Sequence, residues 1–255
     1  MNNEKSRYRG DFGTLKNNYK ADAKTNRTKL LFVGDSVTHR AKIVNALKQR
    51  LGESNFEFWN AGVEGYNTEQ ELILYKKWNH KIEADRVILT LHHNDYQSMK
   101  IYLYDKNNKL VSTRSDKDFP IQSMVNTDLR ILQLIQRIKF HQAPKLTKVA
   151  RIRKVKQHLK EFKEILIRSN TKFTVLVLPL LHANSTEEQI SRKWQHSASL
   201  KLLNELSIEY VDLKPALRKA HSHNIDVQQK PGDTWHPSDA VSEYFADAIL
   251  KHLIF

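Results

Sequence analysis

Short apolar runs set the strongest limit on how this chain can fold. Residues 29–34, 86–91 ("RVILTL") and 172–178 ("KFTVLVL") are nearly all apolar rather than alternating, and 55–60 is a further strand candidate. A strand of that composition has both faces buried, which is the signature of a parallel sheet covered by helices on each side. The intervening segments carry helical spacing. Val37, Ile43, Leu47 and Leu51 lead to Gly52, a helix stop, and predict a helix over 37–51. Residues 68–79, 148–169 and 186–206 read as further helices, 208–213 as a short fifth strand, and 238 onward as a last helix with Val241, Phe245, Ile249 and Leu253 on one face. Strand–helix alternation predicts an α/β fold, a three-layer sandwich around a five-stranded parallel sheet. In such sheets ligands sit beyond the carboxyl ends of the strands, so the residues following each strand are where function is sought.

Residues 96–145 break the rhythm. "YLYDKNNKLV" predicts a hairpin or an extended loop around Asn107 and Asn108, and the whole stretch is expected to be an insertion over the carboxyl edge. Residues 1–28 are polar and form an N-terminal extension; residues 29–255 are expected to be one domain.

Several classes fall away on composition. The 255 residues include no cysteine, which removes disulfides, thiol nucleophiles and cysteine metal sites. No stretch approaches the ~20 apolar residues of a membrane span, and the first residues lack the apolar core of a signal peptide. The compartment is left open, with the cytoplasm as the default expectation. The formal net charge is +14, concentrated between residues 145 and 172, where ten Lys or Arg accompany two Glu. Such a run can attract an anionic polymer. Yet Val149, Ile152, Val155, Leu159, Phe162 and Leu166 recur at helical spacing with the cations between them, so a solvated helix face is the favoured reading and no nucleic-acid partner is expected.

The turns at the strand ends carry residues suited to chemistry. The first strand ends in Gly34-Asp35-Ser36, and Ser36 fits both a helix cap and a nucleophile. The second leads into "NAGVEGYNTEQE", where Gly62 or Gly65 can turn a backbone amide toward an anion, and Asn67 or Thr68 caps the next helix. The third leads into "HHNDY", whose Asn94 can donate a side-chain amide to an oxyanion. His92 and His93 are adjacent; on a strand they would face opposite ways, which argues against a metal site. Before the last helix stands "GDTWHPSDA". Asp233 and His236, three apart, allow a carboxylate to hold an imidazole, and Pro237 fixes the direction of His236 at the helix entrance.

These blocks, in order and in approximate spacing over residues 29–253, resemble the SGNH (GDSL) hydrolase superfamily. The resemblance implies a flavodoxin-like fold and a serine esterase without cofactor. It implies Ser36 as nucleophile, His236 as base and Asp233 as its partner, with the amides of Ser36 and Gly65 and the side chain of Asn94 forming the oxyanion hole. His92 departs from the pattern, because the family carries glycine there. His92, Tyr96 and Trp235, together with Tyr102 and Tyr104, are expected to wall the substrate pocket. The substrate is expected to be a small-molecule or glycan ester, an O-acetylated sugar or a lipid ester, with acyl transfer to a glycan as the alternative reaction.

Overall fold

The computed structural model describes residues 26–97, 100–104, 110–114, 145–182 and 194–253, with isolated positions between 131 and 142. Five strands form one all-parallel sheet: β1 (Thr28–Gly34), β2 (Phe56–Gly62), β3 (Arg86–Leu91), β6 (Lys172–Val177) and β7 (Glu209–Asp212), in the spatial order β2-β1-β3-β6-β7. The chain order reverses between β1 and β3, so a crevice opens at their carboxyl ends. Of the hairpin or extended loop expected around Asn107 and Asn108, the structure describes the two arms of a hairpin, β4 (Lys100–Tyr104) antiparallel to β5 (Leu110–Arg114), with Tyr104 opposite Leu110; Asn107 and Asn108 themselves lie outside the described residues. The remainder of the 96–145 insertion, and most of the N-terminal extension, lie outside the described residues.

The apolar runs are double-sided, as their composition requires. Leu30, Phe32, Ile88 and Leu176 face one core; Leu31, Val33, Val87, Leu89, Val175 and Val177 face the other. The first core is closed by α2 (Lys42–Leu51), α6 (Lys214–Ser222) and α7 (Asp239–His252), and the second by α3 (Thr68–Ile82), α4 (Lys148–Arg168) and α5 (Trp194–Glu205). The result is a three-layer α/β/α sandwich around a five-stranded parallel sheet. No helix among the described residues is long and apolar enough to cross a membrane.

Helix α4 buries Val155, Leu159, Phe162 and Leu166, while Val149, at its first turn, is exposed. Several of its cations are engaged locally. Lys156 pairs with Glu205 at 2.7 Å, Lys160 with Glu164, and the Lys163 ammonium donates to the carbonyls of Leu206 and Ser207. Arg151 donates to the carbonyls of Leu146 and Tyr96. These contacts fit a solvated helix face.

One expectation changes and one element is added. The predicted helix over 37–51 is two helices, a single turn α1 (Ser36–His39) followed by α2, because Ala41 adopts a left-handed φ of 60° between them. The Ala41 carbonyl then accepts from the Asn45 amide and starts the second helix afresh. Helix α6 is an addition to the expected elements; its signals are Pro215 in the first turn and the buried Ala216, Leu217 and Ala220. The helix expected over 186–206 is described only from Trp194.

The joint between α1 and β2 depends on Gly62. A Cβ there would lie 2.2 Å from the His39 amide nitrogen and 2.6 Å from the Thr38 carbonyl carbon, both rigid backbone atoms. Gly62→Ala is therefore expected to destabilise the protein by about 1–3 kcal/mol, the usual cost of overpacking. Urea unfolding measures it, and an unchanged midpoint would contradict the packing described.

Candidate active site

The turn after β1 brings Ser36 to the mouth of the crevice, and it separates the two roles that are joined in the sequence. Asp35, not Ser36, caps α1: its Oδ1 accepts from the Val37 amide at 2.9 Å. Ser36 is the first residue of the helix, with its hydroxyl directed elsewhere. Its Oγ lies 2.9 Å from His236 Nε2.

His236 is held on its other side by Asp233. Nδ1 lies 2.8 Å from Oδ2 and 3.0 Å from Oδ1 of that carboxylate. Two acceptors around Nδ1 require it to carry the hydrogen, which leaves Nε2 as the acceptor facing the Ser36 hydroxyl. The loop that does this is tied down locally. The Trp235 and His236 amides both donate to Asp233 Oδ1, and the Asp233 amide donates to the Lys230 carbonyl. The Gln229 amide donates to the His236 carbonyl, and the Leu181 amide to the Thr234 carbonyl. Ser238 caps α7 by accepting from Val241. Partial burial pushes the Asp233 carboxyl up, but the bonds from His236 and the two amides outweigh it and hold it below the ordinary carboxylate range. Asp233 thus stays ionised, and it can stabilise an imidazolium.

Arg40, which the sequence does not single out, reaches the same loop. It donates to Gln229 Oε1, and its guanidinium lies 4.0 Å from Asp233 Oδ2 and from Glu64 Oε1. It follows α1 directly and looks like a surface cation in the sequence; only the fold reveals the contact.

Of the two glycines after β2, Gly65 has the left-handed backbone, with φ 79°. The Gly62 amide is already committed to Asn60 Oδ1 at 2.9 Å. This favours Gly65 as the anion-facing amide. Asn67 and Gln70 form the reciprocal cap of α3, each side chain accepting from the other's amide, at 3.2 and 3.3 Å.

Asn94 stands in a one-turn 3-10 helix (His93–Tyr96) directly after β3 and is buried. Its Nδ2 donates to Asp35 Oδ2 at 2.6 Å and makes a longer contact, 3.3 Å, with the Tyr66 carbonyl. The short bond to a carboxylate fixes which end of the amide is nitrogen. One hydrogen is firmly held; the other is held weakly by a carbonyl.

The expected pocket walls fall differently. Tyr96 belongs to the core: it is 2% exposed, its hydroxyl is 2.8 Å from Ser199 Oγ, and its ring packs on Trp194. The turn after β3 directs it inward. His92 is also buried, against Asp35, His93 and Trp235. The two histidines do not face opposite ways, because β3 ends at Leu91 and the chain turns at His93. His92 Nε2 and His93 Nδ1 lie 3.2 Å apart. Trp235 is partly exposed and meets the His93 ring edge-on at 4.0 Å between centroids. The side chains of Tyr102 and Tyr104 lie outside the described residues. Among the described residues no group of three or more His, Asp or Glu is arranged to hold a metal.

Beneath the site three acidic groups are buried together: Asp35, Asp95 and Glu71. Asp95 accepts from the His92 amide at 2.6 Å and from Thr68 Oγ1 at 2.8 Å. Burial, with the charge of Asp35 adding to it, nevertheless pushes its carboxyl up to about 7. Among the described residues Glu71 has no hydrogen-bond partner on either oxygen. Burial and the charges of Asp95 and Asp35 raise it well above the ordinary range. Asp35 moves the other way: burial would raise it, but His92, the Val37 amide and the Asn94 amide together lower it. The shifts thus favour the charged form of Asp35 and the protonated form of Glu71.

A scan of protein-family models gives no match, and comparison with curated sequences gives none. Solved structures do match. The acetyl xylan esterase AlAXEase superposes with a TM-score of 0.52 at 14% identity, covering 89% of this chain and 100% of its own. The acetylxylan esterase Axe2 from Geobacillus stearothermophilus gives 0.54 at 15% identity, covering 91% and 97%. The α/β hydrolase LAE5 from the metagenome of Lake Arreo, Spain, gives 0.56 at 14%, covering 88% and 94%. At these identities the likeness is one of fold.

The buried acids predict a pH signature. A carboxyl whose folded value is raised binds its proton more tightly folded than unfolded. Its contribution to stability is thus undiminished at low pH and is lost as pH rises from the ordinary carboxylate range through the folded value. For Asp95 that window runs from 3.8 to about 7, and for Glu71 it begins at 4.5 and extends well above. Glu71→Gln removes one such group without leaving a broken bond. The variant's melting temperature is expected to gain on the parent as pH rises above the ordinary carboxylate range; a difference independent of pH would contradict a Glu71 carboxyl raised by burial.

Proposed function

We propose that the protein is a serine esterase that hydrolyses a carboxylic ester through an acyl-enzyme, with O-acetyl groups on a carbohydrate as its substrate class. One observation carries this reading: Ser36, His236 and Asp233 form an unbroken hydrogen-bonded chain at the carboxyl edge of the sheet. A serine hydroxyl needs a base near neutral pH, and an oriented imidazole is the usual one. The solved structures of similar fold support the substrate class, since two of them are acetyl xylan esterases. Catalytic mutants of Axe2 replace a serine, an aspartate and a histidine with alanine, the last two being three positions apart. Asp233 and His236 have that same spacing.

In this mechanism Ser36 Oγ attacks the acyl carbonyl while His236 Nε2 takes its proton. The tetrahedral oxyanion is held by the amides of Ser36 and Gly65 and by the Asn94 side chain, whose second hydrogen leaves the Tyr66 carbonyl for the substrate. His236 returns the proton to the leaving alkoxide, and the carbon–oxygen bond of the ester breaks. Water, deprotonated by His236, then attacks the acyl-Ser36 ester, and release of the acid restores the serine. Asp233 keeps His236 in the required tautomer throughout. None of these steps calls on a metal or organic cofactor.

An ester panel varying acyl length and including acetylated sugars tests the reading, with parent and Ser36→Ala assayed together. Ser36→Ala is expected to abolish turnover on every ester that the parent cleaves. Asp233→Asn is expected to lower kcat by about 10⁴, because the amide stabilises the wrong tautomer. Asn94→Ala is expected to lower it by ~10²–10³, the loss of one oxyanion donor. A Ser36→Ala protein as fast as the parent would rule out this nucleophile.

A further inference from the structure

One stretch of the surface is apolar and cationic at once. Among the described residues seven large apolar side chains are exposed, and four of them stand close together in the chain: Ile131, Leu134, Ile135 and Ile138, each 41–64% exposed. All four have helical backbone. Spacings of three and four place them on one helix face, so they form a single stripe. Exposed apolar residues taken singly are ordinary, but a contiguous stripe marks a surface that meets something. A fifth, Val149, is exposed in the first turn of α4.

The charge around this stripe has one sign. Between residues 129 and 160 the sequence has ten Lys or Arg and no Asp or Glu. Lys139 has helical backbone next to Ile138, and Lys145, Lys148 and Arg153 follow; all four cations are exposed. Further along α4 the cations meet acids, Glu205 at Lys156 and Glu164 at Lys160. Arg151 donates to the Tyr96 carbonyl at 3.3 Å, which fixes the start of α4 beside the turn that carries Asn94.

We infer that this stretch is a docking surface for an anionic lipid bilayer. Ile131, Leu134, Ile135 and Ile138 enter the acyl boundary, while Lys139, Lys145, Lys148 and Arg153 meet the headgroup phosphates. An apolar face accompanied by cations is what lets a helix lie in the plane of a bilayer interface. Charge complementarity selects this occupant. A second copy brings the same stripe with the same cations, and each chain carries a net charge of +14, so the two surfaces repel. A soluble polyanion satisfies the cations and leaves the stripe in water. A bilayer with acidic headgroups answers both at once. The contact makes no use of the chemistry at Ser36.

Co-sedimentation of the full chain with vesicles tests the inference, using phosphatidylcholine alone and phosphatidylcholine mixed with phosphatidylglycerol in equal parts. The parent is expected to bind the mixed vesicles, not the neutral ones, and to be released as salt is raised. Leu134→Gln combined with Ile138→Gln is expected to weaken binding about tenfold or more through lost apolar burial, with the melting temperature unchanged because both side chains are exposed. Ile131→Gln combined with Ile135→Gln is a second pair with the same expectation. Lys139→Gln and Arg153→Gln are each expected to weaken binding about fivefold, the effect of one cation near an acidic surface. Ser36→Ala is expected to bind as the parent does. A parent that ignores the mixed vesicles overturns the inference. So do glutamine pairs that bind as tightly as the parent, since that marks a purely electrostatic site for polyanions. A parent dimer that the glutamine pairs dissociate, seen by sedimentation velocity, assigns the stripe to a second copy and overturns it likewise.

Discussion

A carboxylate buried at the end of β1 organises this site. Asp35 caps the one-turn helix that presents Ser36, and it holds the side chain of Asn94 arriving from the neighbouring strand. A charge so enclosed is costly unless each oxygen is satisfied. Two short bonds and the imidazole of His92 offset that cost. Because those partners come from the ends of β1 and β3, the two strands that flank the crevice, the carboxylate also sets the spacing between Ser36 and Asn94, the proposed nucleophile and oxyanion donor. Below it burial and the neighbouring carboxylates raise the Glu71 carboxyl well above its ordinary range and the Asp95 carboxyl to about 7.

The geometry divides the chemistry between a rigid part and an adjustable part. The Ser36–His236–Asp233 chain is fixed by backbone bonds within the loop that precedes α7 and by the docking of that loop on Leu181. On the side proposed to hold the oxyanion, Asn94 has one hydrogen only weakly engaged. The contact of Asn94 with the Tyr66 carbonyl is long and is made to a neutral acceptor, so a developing negative charge can displace it at little cost.

Much of this is legible in the sequence, and the exceptions have physical causes. The double-sided apolar runs suit only central parallel strands, and the spacing of Asp233 and His236 allows a local carboxylate–imidazole pair. The cap role of Asp35 is hidden, because an Asp and a Ser side by side are both good caps and burial decides between them. The break at Ala41 has no Gly or Pro to announce it; alanine takes a left-handed angle there because the Thr38 carbonyl and the Asn45 amide on either side demand it. Tyr96 points to the pocket wall in the sequence because it follows the motif, but the 3-10 turn after β3 rotates it onto Ser199 and Trp194. The same turn brings His92 and His93 together, against the alternation that a continued strand would impose. Short turns after strands are where tertiary packing outweighs local pattern, and here they are also where the site is built.

The central claim is that Ser36 is activated by His236. Labelling with a fluorophosphonate probe, followed by peptide mass spectrometry, reads it directly. A single adduct on Ser36 is predicted, lost in His236→Ala even though the serine is still present. Labelling of another serine, or equal labelling of Ser36 with and without His236, would contradict it.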